Sequence, residues 1–128
     1  MKKLTTVALI AIFLIALGYA PVSKGRDEGE ARPEVTKQIK KYFRSNFGMK
    51  GYETTWYGNI RDVTVRGDLV MVHTDLSDNG SKARNICGAA SGFVFSNENR
   101  SLGLSQVRVH GADGQALIHR KELSDPCS

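Results

Sequence analysis

The sequence predicts a two-layer α+β domain in the order α-β-β-α-β-β, preceded by an N-terminal hydrophobic helix. Three observations carry this. Two stretches space their apolar residues at helical intervals, Pro33 to Gly48 and Asp78 to Gly92. Four shorter stretches alternate apolar and polar residues as strands do. Glycine-bearing turns separate those strands into two pairs, Arg66-Gly67-Asp68 in the first and Gly111-Ala112-Asp113-Gly114 in the second.

The chain opens with Lys2 and Lys3, followed by uncharged residues from Leu4 to Ser23; Val7 to Leu17 is apolar throughout. A short basic start and an apolar run of about 7–15 residues is the pattern of a secretory signal. Ala16 with Gly18, or Gly18 with Ala20, would suit a cleavage site, although the second pair places Pro21 directly after the cut. The alternative is a retained anchor, because about twenty helical residues reach roughly 30 Å. A buried core helix is a third, poorer reading. Signal and anchor both send the remainder across the membrane. Residues 1–20 are therefore read as signal peptide or membrane anchor, 21–32 as a flexible linker rich in Pro, Gly and mixed charge, and 33–128 as one exported domain.

The whole chain carries 18 Lys+Arg against 13 Asp+Glu, a net charge of +5. Residues 1–20 hold two of those basic residues and no acidic one, so residues 21–128 carry +3. That mild excess does not fit a nucleic-acid-binding domain, which carries a dense basic face.

Within the first predicted helix, Pro33 suits the first turn and Glu34 complements the positive helix end. Val35, Ile39, Tyr42, Phe43 and Phe47 form one apolar stripe, and Gly48 is the natural stop. The opposite face gathers Lys37, Lys40, Lys41 and Arg44, the most coherent surface feature. It reads either as a solvated helix face or as a contact for anionic lipid or wall polymer, where each basic residue adds about 1 kcal/mol. Strands are expected at Thr54 to Arg66 and Leu69 to Asp75. The second helix is expected to be capped by Asp78 or Asn79, with Ala83, Ile86, Cys87, Ala90 and Val94 on its buried side. The run Cys87 to Gly92 is built of small residues, which lets a helix lie close on a sheet. The last strands are expected at Leu104 to His110 and Gln115 to Arg120. Two hairpins then make a four-stranded, mainly antiparallel sheet with both helices on one face. Cystatin-like sheets and the small envelope-associated BON domains neighbour this topology, an analogy that carries no function.

Cys87 and Cys127 are the only cysteines. In an exported chain they are expected to pair. Other features have plainer readings. Arg66-Gly67-Asp68 matches a tripeptide read by integrins, but it is also ordinary turn chemistry, expected at an exposed tip. His73, His110 and His119 all fall on strands, where solvent-facing or hairpin-edge positions are the simplest reading, so no metal site is expected. Trp56 and Tyr57 would line a ligand pocket or pack in the core. Gly88 to Gly92 places Ser91 one position late for a nucleophile elbow, and no phosphate loop, H-E-x-x-H or C-x-x-C is present. No catalytic residue and no cofactor is assigned.

Several residues from Ile60 onward carry a resemblance: Thr74-Asp75-Leu76, Ala83 with Ile86-Cys87, Val107 and Val109 with Asp113-Gly114, and Asp125-Pro126-Cys127. Together they resemble small exported proteins of actinobacteria and their phages. The resemblance implies export, four strands and paired cysteines, and transfers no catalytic residue. The expected function is a non-catalytic envelope module, exported or membrane-anchored and possible in a phage setting, that binds a protein, lipid surface or wall polymer. The alternative is a small exported ligand-binding domain or enzyme with a pocket between helix and sheet.

Overall fold

The computed structural model describes residues 29–128. The signal or anchor reading of residues 1–20, and most of the linker, lie outside the described residues. Among the described residues no helix is long and apolar enough to cross a membrane. The elements run α1 (Pro33–Phe47), a 3₁₀ turn (Tyr57–Asn59), β1 (Ile60–Arg66), β2 (Leu69–Thr74), α2 (Ser81–Val94), a second 3₁₀ segment (Asn97–Leu102), β3 (Gln106–His110) and β4 (Ala116–Arg120). This is the α-β-β-α-β-β order that the apolar periodicities require.

The four strands form one sheet in sequential order. β1 pairs antiparallel with β2, and β3 antiparallel with β4. β2 and β3 are parallel, with Val70 opposite Val107 and Val72 opposite Val109. Parallel neighbours need a long crossover rather than a tight turn, and α2 is that crossover.

Alternation along the strands places Val63, Val65, Val70, Val72, Val107, Val109 and Ile118 on one face, all buried. Val35, Ile39 and Phe43 of α1, and Ala83, Ile86, Cys87, Ala90 and Val94 of α2, join them in one core. Burying an aliphatic side chain of this size stabilises by roughly 1.5–3 kcal/mol, so this layer supplies the main driving force. The two helices also meet each other. Tyr42 Oη donates to the Ala89 carbonyl at 2.8 Å, and a Cβ added at Gly92 would lie 2.7 Å from that hydroxyl. The small residue at position 92 thus admits α1 rather than the sheet, while Ala83 and Ala90 serve the close helix–sheet approach.

Several boundaries differ from the sequence reading, each for a local reason. β1 begins at Ile60 rather than Thr54, because Thr54 folds a turn: its Oγ1 accepts from Tyr57 N at 3.2 Å. α2 begins at Ser81 with Gly80 at its N-cap and no side-chain cap. Asp78 instead accepts from Gly80 N at 2.9 Å, closing an Asx turn before the helix. The end of the expected linker is also tied down. Ala31 bridges Arg66, Arg32 N donates to Val65 O at 2.9 Å, and Gly67 N donates to Glu30 O at 2.8 Å. The Arg66-Gly67-Asp68 turn is therefore half-buried, not an exposed tip. Asp68 accepts from the Ser105 hydroxyl and the Gln106 amide.

Cys87 and Cys127 form a disulfide, with Cα atoms 5.8 Å apart and a sequence separation of 40. It fastens the C-terminal tail to the buried side of α2. Cys127→Ser is expected to lower the unfolding free energy by about 3–4 kcal/mol, the loop-entropy value for a closure of this length. Urea denaturation of the oxidised protein and the variant checks this.

Candidate functional site

α1 lies over β1, an edge strand. Its buried stripe faces the sheet, so Lys37, Lys40, Lys41 and Arg44 are all exposed. Three of the four turn toward the strand edge, where two adjoining clefts open. The first, of about 400 Å³, is lined by Pro33, Thr36, Lys37, Lys40, Val65 and Arg66, among others. The second, of about 290 Å³, includes Lys40, Phe43, Arg44, Tyr57, Arg61 and Val63. Lys40 belongs to both and joins them into one basic channel with an apolar floor. Lys41 lines neither cleft.

Two carboxylates moderate this charge. Lys40 Nζ lies 2.9 Å from Asp62 Oδ1, both side chains being about half exposed (48% and 50%). The Lys40 hydrogen bond holds the Asp62 carboxyl below the usual carboxylate range. Arg61 pairs with Asp75, which also accepts from Asn59 Nδ2 at 2.8 Å; that bond is the main reason the Asp75 carboxyl is lowered. Both pairs are exposed, so they add little stability. Among the described residues Lys37, Lys41 and Arg44 enter no ion pair.

The structure separates Trp56 from Tyr57. Trp56 is buried, its ring 5.0 Å from that of Phe47, and it packs in the core. Tyr57 does line the second cleft. Its ring folds against the end of α1 at Gly48, where an added Cβ would sit 2.3 Å from the ring. Gly48 thus shapes the cleft as well as ending the helix.

The other sheet face carries no helix among the described elements. It holds all three histidines, which the sequence reads as solvent-facing or hairpin-edge. His73 and His110 are register partners on β2 and β3. His119, on β4, shares a 2.8 Å hydrogen bond between its Nε2 and Gln106 Oε1. Leu69 and Met71 are also on this face, yet only 2% and 6% exposed. Their strand is central in the sheet. Alternation alone does not reveal this. Among the described residues, no group of three or more His, Cys, Asp or Glu is arranged to hold a metal ion.

Compared with protein families, with curated proteins and with solved structures, the chain shows no significant match. The site must be interpreted from its own chemistry: a two-layer α+β domain with a cationic, apolar-floored channel along one sheet edge.

Burial, with the nearby Arg108 charge, pushes His119 below its ordinary value of 6.5. The unfolded chain therefore binds this proton at higher pH than the folded one. Stability from His119 is complete above 6.5 and falls as pH drops through the lowered folded value. His119→Gln is expected to flatten that part of the stability-against-pH curve, read from urea midpoints at stepped pH.

Proposed function

We propose that this chain is an exported or membrane-anchored, non-catalytic envelope module that binds an anionic wall polymer along the α1–β1 channel. The observation that carries the reading is the convergence of Lys37, Lys40 and Arg44 from α1 with Arg61 and Arg66 from β1 on two clefts that share Lys40. Along the helix the basic residues from 37 to 44 span about 10 Å at the usual rise. A channel of that extent suits an extended chain carrying phosphate or carboxylate groups better than the flat surface of a bilayer.

The N-terminal segment supports placement at the envelope, since both of its leading readings lead across a membrane. The Cys87–Cys127 bridge supports an oxidising location. An anchor would hold the domain near the outer face of the cytoplasmic membrane; a cleaved signal would release it to the wall or beyond. In either case the partner meets an exposed channel that no described segment covers.

The test is binding of the purified protein to a phosphate-bearing wall polymer, to anionic vesicles and to neutral vesicles, at stepped ionic strength. Binding to the polymer is expected to weaken with salt. It should fall about tenfold or more in the Lys37→Glu, Lys40→Glu, Arg44→Glu variant, since each contact is worth about 1 kcal/mol. Lys41→Glu, outside the clefts, should change it little. Equal binding by the triple variant, with its circular dichroism unchanged, would remove the channel from the reading. Preference for anionic vesicles would replace the polymer with a lipid surface.

A further inference from the structure

Lys40 lines both clefts of the α1–β1 channel, and it is already engaged there. Its Nζ lies 2.9 Å from Asp62 Oδ1. Asp62 lines the second cleft itself, so a carboxylate stands beside the ammonium where the two clefts join. The bond from Lys40 holds that carboxyl below the usual carboxylate range, and the Val63 backbone acts in the same direction. Asp62 is therefore ionised at neutral pH. With both side chains about half exposed, the pairing is weak, and an outside anion can exchange with it. Asp62 then keeps its backbone contact and gains water.

The flanking positions have no such competitor. Lys37 stands one turn before Lys40 and lines the first cleft, while Arg44 stands one turn after it and lines the second. Among the described residues neither enters an ion pair. The other ion pair at the site is built differently. Arg61 pairs with Asp75 and also donates to the Gly58 carbonyl at 2.8 Å. Asp75 accepts from Asn59 Nδ2 at 2.8 Å and lines neither cleft. That pair braces the turn before β1, whereas Asp62 faces the channel.

We propose that Asp62 is a built-in counter-ion which the ligand displaces from Lys40, and that it sets a threshold in favour of chains carrying several anionic groups. The inference rests on the wall-polymer reading above and deepens it. A single anion at Lys40 gains one pairing and undoes one. A chain undoes the same single pairing but also meets Lys37 and Arg44. Once seated on those two residues, it presents its intervening charge to Lys40 at high effective concentration, as Asp62 does.

The test is calorimetry of the full chain with poly(glycerol phosphate), at stepped ionic strength. Asp62→Asn keeps the size of the side chain and removes its charge, so Lys40 is released. Polymer binding should tighten about threefold to fivefold, the worth of one freed basic contact, and should fall more steeply with salt, because one more ion pair then forms on binding. Glu98→Gln makes the same charge change outside both clefts and should stay within about 1.5-fold. In a Lys40→Gln background, Asp62→Asn should do no more than Glu98→Gln does. Binding by the Asp62→Asn protein where the natural chain shows none would support the same assignment. Unchanged or weaker binding by Asp62→Asn, in a protein whose polymer binding the Lys37, Lys40, Arg44→Glu variant abolishes, would overturn this inference and leave the channel standing. A gain that persists without Lys40, or that Glu98→Gln matches, would overturn it too. No binding by either the natural chain or Asp62→Asn, or equal binding by the triple variant, would remove the channel and this inference together.

Discussion

The seating of α2 is the constraint on which the rest of this structure depends. It is the crossover between two parallel strands, so β2 and β3 can pair as they do only if α2 lies back across them. Its face toward the sheet is nearly solvent-free: Ile86, Cys87 and Ala90 are 0% exposed. The same helix receives the other two parts of the molecule. Tyr42 of α1 donates to Ala89 and packs over Gly92, and the C-terminal tail is bonded to Cys87. α1 is therefore held over the edge strand by α2 on one side and by Val63 and Val65 beneath it. The channel is the gap that remains along its outer side.

The two faces of the sheet then take different chemistry. The helix-covered face is a largely apolar layer. The opposite face collects a row that runs from Asp62 through His73 to His110. Asp62 joins the two regions, because it pairs with Lys40 at the mouth of both clefts and stands beside His73. The basic channel and the histidine pair meet at this carboxylate, so a change at Asp62 reaches both.

Much of this was legible in the sequence because it depends on local periodicity. The stripe of Val35, Ile39 and Phe43, the stripe of Ala83, Ile86, Cys87 and Ala90, the two hairpins and the cysteine pair all follow from spacing and compartment. The exposed basic face of α1 follows from the same helical period. What was not legible depends on register between distant segments. Pairing of His73 with His110 requires the parallel alignment of β2 and β3, which the intervening helix sets and no local pattern encodes. Trp56 and Tyr57, adjacent in sequence, went to core and cleft because the Thr54 turn rotates the chain between them. The tripeptide at Arg66 to Asp68 looked like a free tip only because its partners, Glu30 to Arg32 and Ser105, are remote.

Native-state hydrogen exchange tests the central role of α2 most directly. If α2 organises the fold, the amides of Ile86 to Ala90 exchange in the slowest class together with those of Val72 and Val109. All then report the free energy of global unfolding. Exchange of the α2 amides well ahead of the β2 and β3 amides, through a separate opening of the helix, would contradict the account.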